Sequence, residues 1–412
     1  MSRLDELIEK LCPDGVEMHE LQELFITRNG YTPSKSKSEF WENGTVPWFK
    51  MEDIRANGNI LSDALQHVNE CAVKGKLFPE NSIIVATSAT VGEHALITVP
   101  SLANQRFTYL MVKPEYEGRF MPKFLFYYCY KLDKYCLQNL NQSSFASVDM
   151  KKFAKFKFPV PPLEVQREIV HILDYFTLLT AELTAELTAR KKQYEFYRDK
   201  LLSHNGIYPM KPLAELGKWS GGKTPSMSEK SFWEQGTIPW ISSKDMKSST
   251  LEDTQDHITE KAVKEASMTV YPANSIAVVT RSGILKHTFP VAYVPFGTTI
   301  NQDIKMLVVN EDILPRYAFH VIQGKGKDIL VKTKKQGGTV DSLDFQKVLA
   351  YKVPVPSKDV QSKLVEVLDN FEAICTDLNI GLPAEIEARQ KQYEYYRDKL
   401  LSFKEVSESI GK

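Results

Sequence analysis

The sequence predicts an α+β fold in which two mixed α/β globular units alternate with two long antiparallel coiled-coil helices, related by an internal pseudo-twofold duplication. Three observations carry that reading. FWENGTVPW (residues 40–48) returns as FWEQGTIPW (232–240), an offset of 192 with seven of nine letters kept. KQYEFYRDKLLS (192–203) returns as KQYEYYRDKLLS (391–402), with 11 of 12 letters kept. Each copy also carries an apolar run with alternating spacings of four and three, the period of a coiled-coil seam.

Further matches fill the space between these anchors. TPS at 32–34 recurs at 224–226, and FPENSIIVATS (78–88) recurs as YPANSIAVVTRS (271–282). The NQ at 104 recurs at 301, and FPVPPLEVQ (158–166) recurs as VPVPSKDVQ (353–361). The offset drifts slowly from 192 to 199, as small loop insertions require. So long a period belongs to a duplicated domain, not to a solenoid.

Within each copy the first part is rich in aromatic and β-branched residues. Short apolar runs such as SIIVATS, TYLMVK, SIAVVT and KMLVVN are punctuated by Gly, Pro and Asn. That texture predicts many short strands. A PVPP or PVP stretch then ends pairing. The helical run comes next. Its seam is Val165, Ile169, Ile172, Phe176, Leu179 and Leu183 in the first copy. In the second it is Val360, Leu364, Val367, Phe371, Ile374 and Leu378. No Gly or Pro falls between Leu163 and Ser203, so about 40 residues can form one helix roughly 60 Å long. A helix that long cannot bury itself, and its duplicate is the simplest antiparallel partner. The second copy carries Gly381 and Pro383, which are expected to kink it. The expected division is a first globular unit over 1–158 and a first helix over 159–205. A second unit over 206–353 and a second helix with its tail over 354–412 complete it. The segment before each globular unit is alike, and the chain ends where another unit could begin, as in a ring cut open.

Composition sets the class. With 412 residues, 42% hydrophobic and 25% charged, the chain suits a globular protein of several domains. No window is apolar enough to span a membrane, and the N-terminus does not resemble a secretory signal. Five cysteines without CxxC suit a reducing cytoplasm and no zinc site. Lys plus Arg and Asp plus Glu balance at 52 each, a mild argument against nucleic acid. Locally the balance breaks: residues 151–157 hold four lysines and no acid, and residues 324–335 hold five lysines and one Asp. Each run alone reads as a solvated face.

Catalytic motifs are missing. There is no Walker A loop, no GxGxxG after a strand, no HExxH and no methyltransferase NPPY-type motif. Acidic pairs such as Glu52 with Asp53 and Glu252 with Asp253 read as surface or capping residues. Trp41, Trp48, Trp233 and Trp240 flank a Gly-Thr-Val/Ile-Pro turn and read as core staples. The polar residues just beyond are better readers of a ligand: Lys50, Asp53 and Arg55, and Ser242, Ser243, Lys244 and Asp245.

These residues resemble those of one family, the specificity subunits of type I restriction–modification systems. The Trp element, TSATVGEHAL, NQ, PVPPLEVQREIVHILD and YRDKLLS carry the resemblance over essentially the whole chain. TAELTAEL (180–187) is similar to the tandem tetrapeptide of the family's IC class. The resemblance implies two target recognition domains, each reading one half of a split site in double-stranded DNA. The helices would set the gap and dock two modification (methyltransferase) subunits. Adenine-N6 methylation with S-adenosylmethionine would reside in those subunits. Restriction (motor–nuclease) subunits would cleave DNA with ATP and Mg²⁺. The chain itself would hold no catalytic residue, cofactor or metal, and would work in the cytoplasm with no membrane partner. A coiled-coil assembly scaffold that never reads bases is the alternative, and a nuclease acting alone is a third.

On that resemblance the expected DNA-binding residues are Lys50, Arg55, Ser88, Thr90 and Arg106 in the first unit. In the second they are Ser243, Lys244, Arg281, Lys286 and Gln302. The expected partner-binding residues are Tyr194, Tyr197, Arg198, Tyr393, Tyr396 and Arg397, with packing of the helix pair as their other role. The second unit has VTRSGILKHTFPVA where the first has ATSATVGEHALITV, so the bases read differ.

Overall fold

The computed structural model describes residues 2–141, 146–203, 207–335, 340–376 and 381–406. It forms two compact units, residues 1–182 with 387–412 and residues 183–386. Both long helical segments are therefore divided. Each unit holds the beginning of one and the end of the other, which is what antiparallel pairing requires.

In unit 1 the central sheet has five strands in the order Phe25–Asn29, Phe107–Val112, Ile83–Ala86, His94–Ile97 and Ile60–Leu61. Strands Ile83–Ala86 and His94–Ile97 are buried throughout. A second sheet centres on Val46–Phe49, which pairs antiparallel with His67–Val68 and parallel with Leu102–Ala103. A two-stranded ribbon joins Met18–Glu20 to Lys157–Pro159. Helix Pro122–Gln138 covers the large sheet with Phe124, Leu125, Tyr128 and Leu132.

Unit 2 repeats the plan. Its four-stranded sheet runs Gly217–Gly221, Ile304–Val309, Ser275–Val279, Val291–Val294. Ile238–Ile241 pairs antiparallel with Asp256–Ile258 and parallel with Thr299–Ile300, and Met210–Pro212 pairs with Lys352–Pro354. The registers match across copies: Met18 faces Pro159 as Met210 faces Pro354. One difference is local. The single helix Pro122–Gln138 becomes two, Pro315–Gly324 and Gly326–Thr333, because glycines at 324 and 326 remove helix propensity at the junction.

The first long helix, Leu163–Leu201, is unbroken over 39 residues. The second is two helices, Lys358–Thr376 and Leu382–Leu400. Pro383 stands in the first turn of the latter, where a missing N–H costs little. Leu378 lies outside the described residues. The expected seam is met in part: Phe176 stacks on Tyr396 in unit 1 and Phe371 on Tyr197 in unit 2, each across the helix pair. Val165 and Ile169 are buried, but in the core of their own unit, together with Val170 and Leu173. Val367 and Ile374 are exposed. The buried positions of the second copy are Gln361, Leu368, Glu372 and Cys375, one residue along the helix. The globular unit, a larger apolar surface than a neighbouring helix, takes Val165 and Ile169 of the first helix and Leu368 and Cys375 of the second into its core.

The N-terminal segment meets the C-terminal tail inside unit 1. Val16 N–H donates to Lys404 O at 2.8 Å and Val406 N–H to Val16 O at 3.1 Å. Among the described residues no helix is long and apolar enough to cross a membrane.

Candidate nucleic-acid interface

The repeated nonapeptide builds the same clasp twice. Trp41 Nε1–H donates to Ser34 O at 3.0 Å, and Trp48 Nε1–H to Tyr31 O at 2.9 Å. Trp233 and Trp240 do the same to Ser226 O and Lys223 O, at 3.0 and 3.1 Å. The rings meet edge to face, 5.0 Å apart in one copy and 5.1 Å in the other. Asn43 and Gln235 adopt φ of +52° and +59°. Gly44 comes next because a Cβ there would stand 2.6 Å from the backbone of Val68. The tryptophans are staples that fix a turn.

Just beyond, Asp53 is fully buried and accepts from Lys50 N and Leu65 N, both at 2.6 Å. Asp245 accepts from Ser242 N at 2.8 Å and Gln255 N at 2.9 Å. These carboxylates hold loops in place and are not free to meet a ligand. Asp63 and Asp253 repeat the pattern, pairing with His67 at 2.7 Å and His257 at 2.9 Å.

Three segments converge at the ends of the strands. Asn104 N–H donates to Phe49 O at 3.0 Å, which joins the turn 104–106 to the start of segment 50–55. Thr87 N–H donates to Arg106 O at 3.0 Å, which brings in segment 87–90. In unit 2, Asn301 N–H donates to Ile241 O at 3.0 Å and Thr280 N–H to Asp303 O at 2.8 Å. Lys50, Ser88, Thr90 and Arg106 thus share one edge, as do Ser243, Lys244, Arg281 and Gln302. Lys286 lies in the turn Gly283–Lys286, just after Arg281. Arg55 is exposed on helix Met51–Asn57, and no hydrogen bond ties it to the others among the described residues.

Their states differ. Lys50 Nζ donates to Gln66 at 3.2 Å and lies 5.6 Å from the Trp48 ring. Thr90 Oγ1 is buried without a partner among the described residues. Arg106 and Lys244 are exposed, and Ser88 and Ser243 are half-buried. Arg281 Nε–H donates to Asp303 at 2.6 Å. Gln302 accepts from Thr224 Oγ1–H at 2.5 Å, just as Gln105 accepts from Thr32 at 2.5 Å. The Thr–Gln pairs are legible in the sequence only as the repeated TPS and NQ. Asp303 carries no sequence signal, because its partner lies 22 residues away.

The long helices are clamped to their units by repeated polar contacts. Gln166, fully buried, accepts from Met121 N at 2.9 Å and donates to Arg119 O and Pro161 O at 2.8 and 2.7 Å. Gln361 accepts from Leu314 N at 2.8 Å and donates to Asp312 O and Pro356 O at 3.1 and 2.9 Å. Asp174 then receives Lys123 and Tyr127, both at 2.6 Å. Burial, and then the Asp174 carboxylate, push the Tyr127 hydroxyl far above its ordinary pKa. In unit 2, Asp369 receives Arg316 at 2.5 Å and His320 at 2.6 Å, while Arg316 also reaches Glu372 at 2.6 Å. Burial raises the Asp369 pKa, but the His320 and Arg316 hydrogen bonds outweigh it and hold the carboxyl below the usual range. His320, Asp369 and Glu372 offer ligand atoms within 4.8 Å of one another. The Arg316 guanidinium already neutralises both carboxylates, and the first copy has Tyr127 in place of the His. The group is a clamp, not a metal centre.

Of the six residues expected to meet a partner, Tyr194, Tyr393 and Arg397 are buried within their own units. Tyr194 Oη lies 3.3 Å from His320 Nδ1, and the Arg397 guanidinium stacks 4.2 Å from the Tyr130 ring. Arg198 stacks on Tyr194 at 5.4 Å. For these four the packing role is the one the geometry gives. Tyr197 and Tyr396 are exposed on one side and stack on Phe371 and Phe176 at 5.8 and 5.5 Å with the other. Beside them Phe196 and Tyr395 are 63% and 64% exposed, two aromatics outside the set expected from the sequence.

Comparison with known proteins adds a frame. The profile of the type I restriction modification DNA specificity domain matches residues 13–190 and 208–388. The chain is 49% identical over 278 residues to the EcoR124I/EcoR124II specificity subunit of Escherichia coli, covering 64% of this chain and 69% of that one. It is 60% identical over 217 residues to the EcoprrI specificity subunit of Escherichia coli, covering 49% of this chain and 54% of that one. A chain solved in work on complex assembly and conformational transition of the type I R-M system shares the fold. Its TM-score is 0.66 at 14% identity, with 95% of this chain and 98% of that one covered.

Proposed function

The chain belongs to the type I restriction modification DNA specificity family, and from that premise we propose that each of its two units reads one half of a bipartite DNA site. One observation carries the reading. The same backbone frame is built twice, while the side chains at the edge where three segments converge differ. A frame that repeats suits DNA, whose backbone offers near-twofold symmetry and successive major-groove faces. Side chains that differ suit base edges, which carry the sequence. Zero net charge is tolerable because phosphate contacts depend on local cations and can be shared with partner subunits.

In this reading Lys50, Arg55, Ser88, Thr90 and Arg106 serve the first half-site, and Ser243, Lys244, Arg281, Lys286 and Gln302 the second. The helices hold the gap, and the exposed faces of Tyr197 and Tyr396 meet two modification subunits, supported by Tyr194, Arg198, Tyr393 and Arg397 beneath. Those subunits supply S-adenosylmethionine chemistry, and motor–nuclease subunits supply ATP- and Mg²⁺-dependent cleavage, in the cytoplasm. The chain contributes specificity and no catalytic group.

The test is sequencing of methylated bases in cells that express this chain with its modification subunits. A two-part motif with a fixed gap is expected. A gel shift with and without those subunits, at stated salt, separates the scaffold alternative, which predicts no sequence-specific retention.

A further inference from the structure

We infer that Arg281, with its Nε tied to Asp303, reads a guanine in the half-site of unit 2. The inference rests on the half-site reading above and names one base within it. Arg281 Nε–H donates to Asp303 Oδ1 at 2.6 Å. The Arg281 side chain is 56% exposed and that of Asp303 22%, so the carboxylate sits behind the guanidinium. Among the described residues the two terminal nitrogens, Nη1 and Nη2, have no protein partner. One edge of the guanidinium is therefore occupied, and the terminal fork presents donors to solvent.

That fork matches the O6 and N7 acceptors of guanine in the major groove, the commonest specific arginine contact. Asp303 is itself fixed. Its N–H donates to Asn301 Oδ1 at 3.0 Å, and its carbonyl accepts from Thr280 N at 2.8 Å and Arg281 N at 3.3 Å. The guanidinium is thus held from both its backbone and its Nε, and less freedom is lost when it binds. A phosphate is the poorer ligand, because the Asp303 carboxylate would face a second anion. A guanine edge is neutral and carries no such penalty.

Unit 1 has the same frame with different chemistry. Ser88 occupies the place of Arg281: Ser88 bridges Ser147 as Arg281 bridges Ser342. Arg106 occupies the place of Asp303: its N–H donates to Asn104 Oδ1 at 3.0 Å and its carbonyl accepts from Thr87 N at 3.0 Å. At these two positions the arginine–carboxylate pair is present in unit 2 and replaced in unit 1, so this contact is specific to one half-site.

The experiment uses the full chain assembled with its modification subunits and reads the methylated motif. The wild-type motif is expected to contain a G·C pair in the half-site of unit 2. In Arg281→Ala that position loses roughly tenfold or more in discrimination, and the other half-site is unchanged. Asp303→Asn relaxes the same position to a smaller degree. If Arg281→Ala abolishes methylation, Arg281→Lys decides, since it keeps the charge and loses the fork. Relaxation at a single G·C supports the inference. An unchanged motif, uniform weakening at all positions, or relaxation at an A·T pair overturns it. A wild-type complex with no two-part motif would overturn the half-site reading itself, which separates the two failures.

Discussion

Gln166 and Gln361 show how a single side chain settles where a long helix leaves its globular unit. Each is buried and makes three backbone hydrogen bonds that close the start of the next helix. Gln361→Ala leaves a buried N–H and two carbonyls without partners, and about 2–4 kcal/mol of stability should be lost. Thermal unfolding of the variant measures it, and an unchanged midpoint would refute it. Asp369 gives a pH dependence. Its folded pKa lies below its ordinary value, so its stabilising contribution is complete above the ordinary carboxylate pKa of about 3.9. That contribution is lost as pH falls through the lower folded value. Denaturant unfolding at neutral pH and below pH about 4 should show a steeper loss in wild type than in Asp369→Asn. Equal losses would show that the clamp does not titrate as the geometry requires.

At the scale of elements, the unbroken first helix contains TAELTAEL at residues 180–187. Only Thr180, Leu183 and Leu187 of the repeat are half-buried, Leu187 against the core of unit 2, and the rest of the repeat is exposed. A third TAEL adds about 6 Å and turns the downstream part of the chain by about 40° beyond a full turn. One base pair turns roughly 35° and rises about 3.4 Å. Rotation governs, because a misphased unit faces the wrong groove. The methylated motif of the insertion variant should show a gap longer by one base pair and both halves intact. An unaltered gap sinks the idea of a ruler. The exposed aromatic pairs make a second element-scale prediction. Replacing Phe196, Tyr197, Tyr395 and Tyr396 together by Ser should abolish co-purification of the modification subunits while far-UV dichroism keeps its helical signal. Charge reversal at Arg198 and Arg397 is a poorer test, since both guanidinium groups pack on buried tyrosines.

For the whole molecule, duplication predicts modularity. Exchanging residues 30–150 for those of a relative should change one half of the methylated motif and leave the other half and the gap as they were. A change in both halves would mean that the units do not read independently. Within unit 1, Val16 pairs with Lys404 and Val406, so the segment before the first sheet lies against the end of the second long helical segment.

The sequence by itself determined the duplication, the two textures of each copy, the Trp staples and the helix break near Pro383. Those are local or periodic signals: a repeated turn, an alternating apolar run, a residue without an N–H. It also marked the strand-end loops as the place where the copies diverge. Only the tertiary structure decided which face of each helix is buried, because the globular unit competes with the other helix for the apolar stripe; in the second copy the buried positions lie one residue along from the expected seam. Only the structure divided the expected site residues into buried supports and exposed edges. Tyr194 and Tyr197 are three residues apart in one motif, yet one is buried against His320 and the other lies at the surface. Asp303 became visible as the partner of Arg281 for the same reason: ion pairs form across strand ends, at separations on which sequence spacing is silent.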